Sequence, residues 1–294
     1  MKSGFIAIVG KPNAGKSTLI NILLSKKIAI TTHKAQTTRN AILGILNDPD
    51  YQIVFIDTPG IHNPNTHLGT YMNKEAYNQA FGADIIYYIV DGNSGLRNDD
   101  KEILDKLFEY DVPIFLLVNK IDEISNDKLI ERLAYASNAY NFSEIIPISA
   151  LKKENLDDLI KTSLNYLNDS VKYYPEDVET PNSLEFQIAE IIREKIILNT
   201  EQEIPHLAAV KIDTLKQTDK RITIEATIVV NKASHKGIMI GKSGSMLKKI
   251  NNQASKEIKE LTGKKTFLSL YVRVEEDWLN KDKKLFDLGY FLEK

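Results

Sequence analysis

Four short stretches carry residue types whose spacing could do chemistry on a phosphorylated nucleotide. Gly10-Lys11-Pro12-Asn13-Ala14-Gly15-Lys16-Ser17 fits the pattern G-x-x-x-x-G-K-[ST], followed at once by Thr18. In that pattern main-chain N–H groups wrap a phosphate. Lys16 is placed to reach the β- and γ-phosphates, and the Ser17 hydroxyl to ligate Mg²⁺. Asp57-Thr58-Pro59-Gly60 offers a carboxylate that can hold Mg²⁺ through water, and a glycine N–H that a γ-phosphate can approach unhindered. Asn119-Lys120-Ile121-Asp122 offers a carboxylate able to accept from both N1–H and N2–H₂ of guanine, a donor pair that adenine lacks. A buried carboxylate left unpaired is costly, so such a site rejects the wrong base. Asn119 can tie the base-binding loops together, and the Lys120 stem can cover the base face. Ser149-Ala150 could present a backbone N–H to guanine O6. Taken singly, N-K-x-D and D-T-P-G are ordinary polar loops; their order and placement give them weight.

The elements between these stretches are those that such chemistry needs. Phe5–Val9 is short, apolar and β-branched, and a helical pattern begins at Thr18, so the first stretch lies between a strand and a helix N-terminus. Ala41–Leu46, Tyr51–Ile56, Asp84–Val90, Val112–Val118 and Ile145–Ile148 read as further strands, several apolar throughout, as in a sheet buried on both faces. Asp99–Tyr110, Asp127–Ala139 and Asn155–Leu167 carry helix-period apolar positions. The alternation predicts an α/β domain with a doubly wound, mostly parallel sheet. Ligands of such sheets bind beyond the carboxyl ends of the strands, which is where the chemical residues fall.

This order and spacing resembles the GTPase superfamily of phosphate-loop proteins over the whole first domain. The resemblance implies GTP/GDP as ligand and a switch loop whose threonine meets Mg²⁺ and the γ-phosphate. Lys34-Ala35-Gln36-Thr37-Thr38-Arg39 lies where that loop belongs, with Thr38 favoured and Thr37 second. Many relatives carry a water-orienting glutamine directly after the D-x-x-G glycine, where this chain has Ile61. In relatives with loops like G-x-P-N-x-G-K-S the asparagine resembles a K⁺ ligand, so Asn13 is expected to bring K⁺ beside the phosphates. The expected reaction is GTP hydrolysis, slow alone and K⁺-assisted, resting on Asn13, Lys16, Thr38, Asp57 and Gly60. An ATP-dependent enzyme is disfavoured by Asp122. A constitutive RNA-binding protein that binds GTP but hydrolyses it negligibly is the alternative that Ile61 raises.

The chain has 294 residues, 43% hydrophobic and 27% charged, enough for about two domains. It has no cysteine, which excludes disulfides and thiolate sites and fits a reducing compartment. No apolar run reaches the roughly 18 residues of a membrane span, and the first strand begins too early for a signal peptide. Prolines and acids over Val171–Ser183 end the periodicity and predict a linker, dividing the chain into 1–170, 171–183 and 184–294. Ser183 reads as the N-cap of a helix over Leu184–Leu198. Strands at Leu207–Ile212 and Ile222–Val230, helices at Gly237–Ile240 and Ser245–Leu261, and a strand at Thr266–Val274 give a smaller α+β unit ordered α-β-β-α-α-β. Between its last two helices sits Gly241-Lys242-Ser243-Gly244. That loop within that order resembles a KH domain, which clamps about four single-stranded nucleotides. Lys232–Lys265 holds nine lysines and two acids, net +7 in a chain of net −2, an electrostatic footprint for phosphate. His235, Lys236, Gly237, Gly241, Lys242, Ser243, Gly244, Lys248 and Lys249 are the candidate RNA contacts.

A GTPase domain followed by a KH-type domain, with Glu190–Lys195 opening the second unit, resembles the Era family of bacterial ribosome-assembly GTPases over essentially the full chain. The resemblance implies a cytoplasmic monomer that binds the 3′ end of 16S rRNA, takes part in 30S subunit assembly and associates peripherally with the membrane. The five histidines lack metal-ligand spacing, and His62 and His67 are expected in a solvated loop. Trp278 and Phe286 are expected to pack a C-terminal segment onto the core, and Tyr87 and Tyr88 to lie in a strand.

Overall fold

Apolar side chains on both faces force the central strands into the middle of a layered unit. The computed structural model describes residues 1–32, 34 and 37–290. The chain divides into a unit of residues 1–64 with 69–181 and a unit of residues 65–68 with 182–294.

In the first, β1 (Lys2–Val9) lies between β3 (Tyr51–Asp57) and β4 (Ile85–Asp91), parallel to both. β5 (Ile114–Asn119) and β6 (Glu144–Pro147) continue the parallel order. β2 (Ile42–Asn47) joins β3 antiparallel at the other edge, giving β2-β3-β1-β4-β5-β6. The helices are α1 (Lys16–Leu23), α2 (His67–Phe81), α3 (Asn98–Leu107), α4 (Asn126–Ala139) and α5 (Leu156–Leu164). One core layer gathers Ala7, Val9, Ile86, Tyr88, Val90 and Leu116 from the sheet against Ala76 and Ala80 of α2 and Ile103, Leu104 and Leu107 of α3. Tyr87 and Tyr88 lie in β4, fully buried on its opposite faces.

Expectations change first at His67 and at residues 171–181. His67 opens α2 rather than lying in a loop. The polar run Asn73-Lys74-Glu75 and weak apolar periodicity hid that helix, whose contribution to the core is mainly small side chains. Second, residues 171–181 are not a free connector. Gln52, buried in β3, accepts from the N–H groups of Tyr173 (2.7 Å) and Tyr174 (3.0 Å) and donates to the Tyr174 carbonyl (2.8 Å). Ile45 of edge strand β2 donates its N–H to the Glu179 carbonyl (2.9 Å), so the segment protects an edge that would otherwise present unpaired backbone.

The second unit runs α6 (Leu184–Asn199), β7 (Ala208–Gln217), β8 (Arg221–Val230), α7 (Ala233–Ile240), α8 (Ser245–Thr262), β9 (Lys265–Val274) and short α9 (Asp282–Asp287). Ser183 caps α6, its Oγ accepting from Phe186 N at 3.2 Å. The sheet order is β7-β8-β9, antiparallel then parallel. Ile188, Ile192 and Ile196 of α6 and Ile250, Ala254 and Ile258 of α8 cover one face, over Ile222, Ile224, Ala226 and Ile228. Trp278 is fully buried, its Nε1 donating to the Leu207 carbonyl at 3.1 Å, but Phe286 is 62% exposed and packs no core.

Candidate functional site

The phosphate loop leaves β1 and enters α1 through Gly15, the N-cap, at φ 105°. A Cβ there would lie 2.2 Å from Asn119 Nδ2, so only glycine fits. Lys16 is buried, and its Nζ donates to the carbonyls of Gly10 (3.0 Å) and Lys11 (2.8 Å). Burial pushes its pKa down to about 8 against the opposing pull of Asp57. Lys11 turns away from the loop's interior. Its Nζ pairs with Asp99 (2.5 Å) and buried Asp100 (2.8 Å), and that pairing holds the Asp99 carboxyl below its ordinary range. Asp100 also accepts from Tyr88 Oη (2.6 Å) and Arg97 N (2.7 Å), so one carboxylate joins the loop, β4 and the start of α3.

Three side-chain oxygens converge beyond Lys16. Ser17 Oγ donates to Asp57 Oδ2 at 2.6 Å, Thr38 Oγ1 donates to the same oxygen at 2.9 Å, and the two hydroxyls are 3.0 Å apart. An all-oxygen donor set at a helix N-terminus beside a lysine fits a hard divalent cation bound with a phosphate. Thr37 does not join it; its hydroxyl donates to the Lys34 carbonyl at 2.8 Å. Ala35 and Gln36 of the switch segment, like His33, lie outside the described residues.

The Asp57–Gly60 stretch divides between site and scaffold. Thr58 Oγ1 donates to the Ile8 carbonyl at 2.8 Å, so its hydroxyl braces β1 instead of facing a ligand. Gly60 lies so close to the loop that a Cβ would sit 2.8 Å from Pro12 N. Ile61 was expected among the nucleotide contacts; its side chain instead enters the core and its N–H donates to the Gly10 carbonyl at 3.2 Å. An apolar side chain beside an open core takes that course. His62 is half-buried rather than solvated, with Nδ1 3.0 Å from the Gly60 carbonyl.

At the other end, Asn119 is buried, donates to the Ala14 carbonyl (2.9 Å) and accepts from Ala150 N (3.0 Å). It joins the phosphate loop to the Ser149-Ala150 loop as its position suggests. That bond takes the Ala150 N–H, and Ser149 N donates to the Glu154 carbonyl (3.3 Å), so neither N–H points free toward a base. Asp122 is exposed rather than buried, with one oxygen accepting from Ser149 Oγ at 2.5 Å. Lys120 is held by Asp91 at 2.6 Å while still lining the cleft.

The cleft, about 400 Å³, is lined by Pro12, Asn13, Gly15–Thr18, Thr37, Thr38, Gly60, Asn119, Lys120, Asp122 and Ala150. Ile30, Thr31, Thr32, Glu123 and Leu151 also line it and carry no motif that would have revealed them. Of these, Leu151 stands next to Ala150 and 68% exposed, an apolar wall for a flat ring.

In the second unit α7 ends at Gly241 (φ 74°), and Gly244 (φ 80°) is the N-cap of α8. A Cβ on Gly241 would meet Met246 N at 2.8 Å, whereas nothing lies within 4 Å of one on Gly244 or Gly237. The loop therefore shows open backbone at a helix N-terminus whose first turn has no acid. Lys236, Lys242, Lys248 and Lys249 surround it, exposed and with no acidic partner among the described residues. His235 is half-buried, its Nδ1 enclosed without a hydrogen-bond partner, so it faces inward more than its place in the basic run suggested.

Comparison with known proteins agrees with both units. Residues 5–120 match the family described as "50S ribosome-binding GTPase" and residues 203–279 match the KH domain. The chain is 43% identical over 291 residues to GTPase Era of Clostridium kluyveri, covering 99% of each. It is 45% identical over 289 residues to GTPase Era of Clostridium acetobutylicum, covering 98% of each. A crystal structure of a variant of Aquifex aeolicus Era bound to GDP and AlF4⁻ matches with TM-score 0.95 and 39% identity, over 99% of this chain and all of that one. A structure of Era with MgGDPNP and nucleotides 1506–1542 of 16S ribosomal RNA matches equally well. Nearly full-length identity of this order, on a phosphate-loop domain joined to a KH domain, places the chain in the Era family of GTPases.

Proposed function

We propose that this GTPase binds the 3′-end region of 16S rRNA through Gly241–Gly244 and its lysines, and assists 30S subunit assembly with GTP setting its affinity for RNA. The observation that carries the reading is the pairing of a Ser17–Thr38–Asp57 oxygen cluster with an open, basic G-x-x-G loop in one chain. The solved Era complex containing nucleotides 1506–1542 supports the choice of RNA. The family likeness extends the reading to a cytoplasmic monomer that associates peripherally with the membrane, testable by sedimentation with anionic vesicles.

At the nucleotide site, Lys16 takes charge from the β- and γ-phosphates, and Gly60 N–H steadies the γ-phosphate. Ser17, Thr38 and Asp57 would hold Mg²⁺, which supplies positive charge to the phosphates. Asp122 selects guanine, and Asn119 keeps base and phosphate loops in register. Catalysis then rests on positioning and electrostatics, with no covalent intermediate. Because Ile61 is in the core, no side chain at that position orients water; Asn13, exposed at the cleft edge, would ligate K⁺ beside the phosphates. Equal turnover in Na⁺ and K⁺ removes the K⁺ role, and so does Asn13→Ala with an unchanged K⁺ response.

The test of the whole reading measures affinity for a 16S 3′-end RNA with GTP and with GDP, and affinity for each nucleotide with and without RNA. Coupling is reciprocal, so the two factors must agree. RNA affinity that is the same in both nucleotide states refutes the switch. Affinity that is flat between low and moderate salt refutes the phosphate-contacting lysines.

A further inference from the structure

Strand β9 alternates strictly. Leu268, Leu270 and Val272 face the helices, while Lys265, Phe267, Ser269, Tyr271 and Arg273 face away. The outward face of a half-buried sheet is ordinarily polar. Here Phe267 is 47% and Tyr271 56% exposed. They are four residues apart on one face, so roughly 13 Å separates them along the strand.

Their neighbours are cationic. Phe267 pairs across β8 with Thr223, which faces Lys216 of β7. Tyr271 pairs with Thr227, which faces Lys211. Arg221 and Lys265 pair at one end, and Lys265 Nζ stands 5.2 Å from the Phe267 ring centroid. The acids here are Asp213, bonded to Thr227 Oγ1 at 2.6 Å, Glu225, and Glu275, which pairs with Arg273. Five cations against three acids around two exposed rings suit an anionic chain that carries flat groups.

We infer that the exposed part of the outer face of the β7-β8-β9 sheet, from Arg221 and Lys265 to Tyr271 and short of the buried Ala209 and Val229, is a second contact surface for single-stranded RNA, with Phe267 and Tyr271 stacking bases and Lys211, Lys216, Arg221 and Lys265 holding the backbone. It is separate from the G-x-x-G clamp, because α6 and α8 cover the opposite face of the sheet. β9 is the sheet edge and packs beside α7 and α8. A strand leaving the clamp rounds that edge and reaches the rings. Sheets with exposed aromatics bind single strands this way, because every base has a face to stack and each stack adds affinity.

This inference rests on the KH unit binding RNA, and the experiment separates the two. Affinities are measured for an RNA of about four nucleotides, the length the clamp takes, and for one roughly three times longer. Three forms are compared: the unaltered full chain, Phe267→Ala/Tyr271→Ala, and Phe267→Trp/Tyr271→Trp. Melting curves establish that all are folded. The alanine pair is expected to weaken the longer RNA by about tenfold or more and to leave the short one unchanged. The tryptophan pair restores affinity, and its fluorescence is quenched only by the longer RNA. If the longer RNA binds the alanine pair as tightly as the unaltered chain, the platform is refuted and the face belongs to another partner. If the unaltered chain binds neither RNA, the parent reading fails instead.

Discussion

Nucleotide binding should take up a proton at the buried Lys16 amine. With its pKa near 8 and no phosphate present, Lys16 is about half neutral at pH 8 and about three-quarters neutral at pH 8.5. A triphosphate beside Nζ favours the charged form and returns the pKa toward the ordinary value of about 10.4. Binding should then take up about half a proton at pH 8, more at pH 8.5 and about a tenth at pH 7. The apparent Kd for GTP should rise about fourfold from pH 7 to pH 8.5 through this group alone. The free protein should show the same shift in its stability. Between pH 8 and 10.5 the unfolded chain holds the proton that the folded one has lost. Stability therefore rises with pH across that window, and below pH 8 the full cost of the buried charge, about 3 kcal/mol, is present. Calorimetry in two buffers of different ionisation enthalpy, with K⁺ and Mg²⁺ fixed, reads the protons directly. GDP should give the same uptake if Lys16 contacts the β-phosphate as proposed. Zero uptake at pH 8.5 refutes the reasoning, because it means that the ammonium stays charged in its desolvated seat.

Three further outcomes follow from the geometry. Asp122→Asn should weaken GTP on the order of 100-fold or more and favour xanthosine triphosphate, whose O2 suits an amide donor; a competition assay with GTP still preferred counts against Asp122 as the base reader. Asp100→Asn and Lys11→Met should each raise the Kd of GTP and GDP about tenfold with guanine selectivity intact, and the double variant should cost no more than either alone; additive losses show that the pair does not hold the loop. Gln52→Ala should destabilise the first unit by about 2–4 kcal/mol, read from the denaturant midpoint, because the fully buried Gln52 amide and its three hydrogen bonds to the Tyr173 and Tyr174 backbone are lost together; a loss under about 1 kcal/mol would sink that account.

Motif residues and the strands that hold them were legible because both obey short-range rules. Apolar runs at β1, β4 and β5 and the turns after them can be read without knowing what packs where. Where a residue's role depends on distant partners, its local sequence does not reveal it. Thr58 sits inside a nucleotide motif yet bonds β1, and Ile61 follows that motif into the core. Nothing local to Ser149-Ala150 says that Asn119 already takes one N–H and Glu154 the other. The 171–181 segment looked unstructured for the same reason, since its hydrogen bonds go to Gln52 and β2, far back in the chain. Phe286 shows the converse, a large apolar residue left 62% exposed while its helix neighbour Leu285 is buried. The convergence of Ser17, Thr38 and Asp57 is expected only from sequence order together with family resemblance, since spacing alone leaves Thr37 and Thr38 open.

The 2.2 Å between a Cβ at position 15 and Asn119 Nδ2 means that two distant positions share one volume. Neither can drift alone. A side chain at 15 displaces Asn119, and losing Asn119 unties Ala14 from Ala150 at once. Asp122 differs, for it is exposed and its carboxylate accepts from the buried Ser149 hydroxyl without touching that shared volume. If Asp122 reads the base as proposed, a single substitution there can change the base that is read without disturbing the loops. The contact between positions 15 and 119 offers no comparable one-step route, because a change at either position disturbs the loop that the other holds.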